Sequence, residues 1–184
     1  MTRQTAAPLT RLPISTFNRG AADLVHEIQR GRIDLNPPYQ RGEVWTEDQQ
    51  RALIFSLLSG LPVPTLIINL RPVTEAVPYA VIDGKQRLTA AKAWFTGELA
   101  VPASWFPAAE VAVAVGTDDG PYVTFTGLTE RGQGRASRMV LPVGEATLAT
   151  VQEEAMVYGL VNGGGTPQTE ADMANAARIA EAGK

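Results

Sequence analysis

Two short runs of β-branched and aliphatic residues, Thr65 to Leu70 and Tyr79 to Ile82, lie between two stretches with the spacing of amphipathic helices. Runs of this length bounded by turn signals read as buried strands, whereas apolar residues three and four apart read as one helical face. Their alternation confines the chain to an α/β (α+β) architecture, a small mixed sheet with helices packed on it. The helix before the runs, Thr46 to Ser59, is the best marked. Thr46 and Gln49 form a T-x-x-Q capping box, Leu53, Ile54, Leu57 and Leu58 share a face, and Gly60 closes it. The helix after them, Gln86 to Thr96, carries Leu88, Ala91, Trp94 and Phe95 and stops at Gly97.

The flanking sequence is read in the same way. Residues 1–13 form a flexible tail and residues 14–184 one domain, a size that a single core accommodates. Ile14 and Phe17 mark an extended entry segment. Ala21 to Arg30 is a helix with Leu24, Val25 and Ile28 on one face and Gly31 as its stop. Ile33 and Leu35 alternate with Asp34 as in a short strand, which Asn36-Pro37-Pro38 ends. Glu110 to Val115 and Tyr122 to Phe125 read as a hairpin, Thr129 to Ser137 as a mobile polar loop, and Met139 to Leu141 as a short strand. Thr147 to Val161 is helical until Gly163-Gly164-Gly165 breaks it, and Thr169 caps a last helix to about Ala180.

Composition narrows the chemistry. The chain has no cysteine and one histidine, His26, which excludes disulfides, thiolate metal sites, a several-ligand zinc site and a two-histidine nuclease motif. A magnesium site built from carboxylates and phosphates stays open. No apolar run approaches the ~20 residues of a membrane span, and Met1 to Thr10 lacks the apolar segment of a secretory signal. The expected location is therefore cytoplasmic, with no membrane partner. A net charge of −3 argues against a general DNA coat. Any nucleic-acid contact needs a local basic cluster, for which Arg131, Arg135 and Arg138 are candidates beside the reading as a solvated loop.

Three constellations carry functional chemistry. In Val81-Ile82-Asp83-Gly84-Lys85-Gln86-Arg87 a buried strand ends, glycine turns the chain and a helix begins. This is the design of an anion site, where backbone N–H groups, the helix dipole and nearby cations converge. Lys85 and Arg87 would neutralise phosphate charge, and Asp83 would ligate a metal or take a proton. The plainer reading is an ordinary Asp-Gly corner. In Asn36 to Trp45 a diproline sets Gln40 and Arg41 before the capped helix, with Arg41 suited to phosphate oxygens and Tyr39 and Trp45 better read as core. Asn162-Gly163-Gly164-Gly165-Thr166-Pro167 allows close backbone approach to a ligand, although spacing alone favours a helix end and a link.

Taken in order, Pro38 to Trp45, Leu61 to Pro64, Ile82 to Thr89 and Asn162 to Pro167 resemble the N-terminal domain of GmrSD-type restriction proteins, in the ParB/sulfiredoxin-like superfamily. The resemblance covers roughly residues 14–182. It implies that the family's Asp-Gly-Gln-Gln-Arg loop, here with Lys85 in place of the commoner glutamine, binds and hydrolyses a nucleotide with a divalent metal. It places Asp83, Gly84, Lys85, Gln86, Arg87 and Thr89 at that nucleotide site, with Gln40, Arg41 and Asn162 facing them. The catalytic set is Asp83, Arg87 and Arg41, and Asp83 is the metal ligand. The C-terminal nuclease half of the family has no counterpart in these 184 residues.

The leading expectation is a nucleoside triphosphate-binding and hydrolysing domain that acts on or senses DNA. The partners would be a nucleoside triphosphate with Mg²⁺, DNA, and a second copy of the chain or a separate nuclease chain. Two alternatives stay open. One is a phosphotransferase acting on a small molecule or a modified base, with Asp83 or Glu43 as base. The other is a non-enzymatic nucleotide switch.

Overall fold

The run Thr65 to Leu70 lies at the middle of a five-stranded mixed sheet. A computed structural model describes residues 11–40, 45–162, 178, 179 and 181 of the chain. The strands are β1 (Ile14–Gly20), β2 (Ile33–Asp34), β3 (Leu66–Leu70), β4 (Tyr79–Asp83) and, late in the chain, β8 (Val140–Ala146), in the spatial order β1-β8-β3-β4-β2. β1 and β8 are antiparallel, β8 and β3 parallel, β3 and β4 antiparallel, and β4 and β2 parallel. A small antiparallel sheet of β5 (Val101–Pro102), β7 (Gly120–Val123) and β6 (Val115–Thr117) sits apart from it.

Strands β3 and β4 are covered on both faces, so they read as nearly continuous apolar runs rather than alternating ones. Leu66 and Ile68 of β3, Val81 of β4 and Leu141 and Val143 of β8 point to one side. There they meet helices α1 (Ala21–Gln29), α2 (Glu47–Leu58) and α3 (Lys85–Phe95), through residues such as Leu24, Ile54, Leu88 and Trp94. Ile82 and Ala146 point to the other side, where a smaller cluster holds Tyr39, Leu148, Ala155, Val157 and Tyr158 under helix α5 (Val151–Asn162). The period of two along each strand thus divides the core into two parts.

Helix α2 keeps the expected capping box. The Gln49 N–H donates to Thr46 Oγ1 at 3.3 Å, and the Thr46 N–H donates to Gln49 Oε1 at 2.9 Å. Helix α1 ends at Gly31, whose φ of +68° favours glycine.

Three expectations for residues 98–146 need correction. Residues 129–137 are not a loop: helix α4 (Glu130–Ala136) forms there, capped where Thr129 Oγ1 accepts from the Gly132 N–H at 3.4 Å. One of the two glycines that argued for a loop serves packing, since a Cβ at Gly132 would lie 2.6 Å from the Glu110 carbonyl oxygen, while Gly134 faces open space. Strand β8 runs for seven residues, where three were expected. Pro142 and Gly144 obscure it, yet Pro142 precedes the point at which β3 pairing begins, at Val143, so its missing N–H costs β3 no partner. The hairpin is shorter than expected. Glu110 and Phe125 belong to 3₁₀ turns, Ala108–Glu110 and Phe125–Gly127, and the hairpin is reduced to the pairing of β6 with β7. The expected last helix from Thr169 falls largely outside the described residues.

Candidate functional site

Strand β4 ends at Asp83, and helix α3 starts at Lys85. Gly84 between them adopts φ +93° and ψ 17°, the left-handed region. A Cβ there would lie 2.2 Å from Leu66 Cδ2, so both backbone angle and space demand glycine. Among the described residues no side chain caps α3 at Gly84. The N-terminal end of the helix, with its partial positive charge, therefore faces the corner beside Asp83.

A cleft of about 140 Å³ opens at this corner. Of the candidate residues singled out in the sequence, Gln40, Asp83, Gly84, Lys85, Gln86, Arg87 and Asn162 line it. Trp45 and Tyr158 line it as well. Trp45 had been read as core, and it does both, for it is half-buried and also packs on the larger apolar cluster. Tyr158 had not been singled out. Its signal was its place one helical turn before Asn162 on the same face. Thr89 is half-buried on α3 and does not line the cleft. Arg41 and Glu43 lie outside the described residues, as do residues 163–167.

The cleft walls are tied to one another. Gln40 Nε2 donates to the carbonyl oxygens of Val81 and Ile82 at 2.9 and 2.8 Å, which holds the segment before α2 against the end of β4. The Trp45 N–H donates to Gln86 Oε1 at 3.1 Å, which holds the same segment to α3. Arg87 is 9% exposed. Its Nη2 donates to Asp83 Oδ2 at 2.7 Å, and its Nη1 donates to the Pro64 carbonyl. The guanidinium thus fixes the Asp83 carboxylate and the Pro62–Pro64 connector in one geometry. Asn162 Nδ2 donates to the Tyr158 carbonyl at 3.0 Å.

Behind the cleft lies a second arginine–carboxylate group, which no local pattern announced. Glu154 on α5 is 1% exposed. It accepts from Arg71 Nε and Nη2, both at 2.9 Å, from Asn69 Nδ2 at 2.8 Å and from the Tyr39 hydroxyl at 3.0 Å. Arg71 Nη1 also reaches Asp34 at 3.2 Å. Burial alone would raise the Glu154 carboxyl, but the Arg71 and Asn69 hydrogen bonds outweigh it and hold the group below its ordinary value. Burial, reinforced by Glu154, pushes the Tyr39 phenol far above its usual range. The hydrogen bond to Glu154 raises Arg71. This network fastens α5, and with it Tyr158 and Asn162, to the sheet.

The arginine cluster of α4 is partly neutralised. Arg135 Nε lies 3.3 Å and Arg131 Nε 3.7 Å from the buried Glu110 carboxylate. Among the described residues no three carboxylate or histidine side chains gather as a metal cage, and no helix is long and apolar enough to cross a membrane.

The family model described as GmrSD restriction endonuclease, N-terminal domain, matches residues 21–133. That span opens with α1, closes within α4 and contains Gln40, Trp45 and Asp83 to Arg87, while Tyr158 and Asn162 fall beyond it. No curated protein and no solved structure matches the chain.

Proposed function

The chain belongs to the family of N-terminal domains of GmrSD restriction endonucleases, and from that premise we propose that it binds and hydrolyses a nucleoside triphosphate at the Asp83–Arg87 cleft in a role that acts on or senses DNA. One observation carries the reading. A strand end, a glycine that no other residue can replace without strain, and an uncapped helix start bring one carboxylate and Lys85 into a single polar cleft. Helix starts of this kind hold phosphate groups.

In this reading Lys85 and the first turn of α3 hold the phosphates. A water attacks the terminal phosphorus, the bond to the bridging oxygen breaks, the nucleoside diphosphate leaves with that oxygen, inorganic phosphate is formed, and the water's proton passes to Asp83. Arg87 acts chiefly through Asp83, whose carboxylate it orients. Gln40 supports the wall from behind through the β4 carbonyls. The donor set suits magnesium, which takes oxygen ligands from one or two carboxylates and from substrate phosphates. Asp83, a quarter exposed, would supply the protein ligand, and the ion would neutralise phosphate charge.

A second reading, a nucleotide switch without turnover, draws support from the same pair, because the Arg87 bond occupies Asp83 Oδ2. Phosphate release from ATP, GTP, CTP and UTP with Mg²⁺, with and without DNA, separates the readings. Hydrolysis predicts release that Asp83→Ala abolishes and that DNA alters. Tight binding without release in the wild type supports the switch and sinks the hydrolase. Transfer to an added acceptor above background supports the phosphotransferase.

A further inference from the structure

The cleft beside Asp83, about 140 Å³, is smaller than the range in which small-molecule sites fall, which begins near ~300 Å³. It has room for phosphate groups but not for a nucleoside as well. A second hollow of about 520 Å³ adjoins it, and the two share Trp45 and Arg87. Together they reach the size that a whole nucleotide requires.

The second hollow differs in chemistry. Its floor is one face of α2, formed by Gln49, Ala52, Leu53 and Ser56 at three- and four-residue spacing. Its far wall is Pro62 to Pro64. Among the described residues no acidic side chain lines it, and the one cation among them, Arg87, is engaged by Asp83 and the Pro64 carbonyl. A flat apolar slot with a few polar groups at its edge suits a nucleobase, which has apolar faces and a polar rim. Gln49 uses its carbonyl on the Thr46 cap and keeps its NH₂ as a donor, and the Ser56 hydroxyl, donating to the Ala52 carbonyl, keeps its lone pairs as acceptors.

We propose that the base of the bound nucleotide lies in the hollow between α2 and Pro62–Pro64, against Trp45, while its phosphates lie at Asp83 and Lys85. This rests on the reading of the cleft as a triphosphate site. Trp45 is the junction: its backbone is tied to Gln86 at the phosphate end, and the residue borders both hollows.

Calorimetry with Mg²⁺ tests the assignment, with the four nucleoside triphosphates and inorganic tripolyphosphate as probes. The wild type should bind at least one nucleotide about tenfold or more tightly than tripolyphosphate, as base–aromatic stacking implies. Trp45→Ala should weaken nucleotide binding roughly 10- to 100-fold and leave tripolyphosphate binding within about twofold. Because Trp45 also packs on the core, Ala52→Trp is a second variant. It fills the hollow from an exposed position on α2 and should produce the same selective loss. Equal affinities for nucleotides and tripolyphosphate in the wild type, or an Ala52→Trp protein that binds nucleotides normally, would overturn the base site and leave the phosphate site standing. A wild type that binds neither probe overturns both readings.

Discussion

Two of the arginine–carboxylate groups among the described residues have opposite characters. Arg87 and Asp83 are four residues apart, span a strand–helix corner and border a cleft from which a quarter of the Asp83 side chain is exposed. Arg71 and Glu154 are 83 residues apart, and Glu154 is almost wholly buried between the sheet and α5. The first pair stands at a place where a ligand can compete for the carboxylate. The second has every polar partner inside the protein. Similar chemistry therefore leaves a carboxylate open to a ligand in one place and fastens a helix to the sheet in the other, and solvent access makes the difference.

The largest test of that contrast is Glu154→Ala. It removes the carboxylate that Arg71, Asn69 and Tyr39 share, leaving the Arg71 side chain only Asp34 and the Asn69 amide only the Leu148 carbonyl as acceptors among the described residues, and removal of one partner from a buried pair costs about 3–5 kcal/mol. Urea unfolding should show a loss of that order, and a loss below about 1 kcal/mol would erase the distinction. Acid provides a related test. Because folding lowers the Glu154 pKa, its contribution is complete above the ordinary carboxylate value and disappears as pH falls through the depressed one. Thermal unfolding of the wild type should therefore steepen in that acid window, and Glu154→Gln should flatten the slope.

Gly84→Ala comes next. It sets a Cβ against Leu66 in a left-handed backbone, and overpacking of this kind costs about 1–3 kcal/mol. Nucleotide binding should fall with it, since the corner itself must shift. Asp83→Asn should have the smallest effect on stability, about 0–1 kcal/mol, because the pair it breaks is partly exposed and screened. Phosphate release should nevertheless drop by about 100-fold or more. An Asp83→Asn protein that is strongly destabilised yet, while folded, retains phosphate release would reverse the roles assigned to the two pairs.

The sequence made one pair visible and concealed the other for a physical reason. Asp83 to Arg87 lie together in the chain, so a turn glycine, a carboxylate and two cations are read at once. Glu154, Asn69, Arg71 and Tyr39 converge only because β3 lies at the sheet centre and α5 crosses its face, and nothing local to any of them records that. The elements divide similarly. The capping box of α2 and the apolar run of β3 announce themselves through neighbours in sequence. Helix α4 and the second half of β8 depend on distant packing: Gly132 on the Glu110 backbone, and Gly144 beside Ile14.

The division of the core by the sheet has a consequence for local motion. Native chains open in cooperative units, and those with fewer buried apolar neighbours open first. The cleft has one wall, α3, rooted in the larger cluster, and another, the end of α5, rooted in the smaller. It therefore lies on a seam between units of unequal protection. Amide protons near Tyr158 should exchange with solvent well before those near Leu88, and a molecule bridging the two walls should draw their rates together.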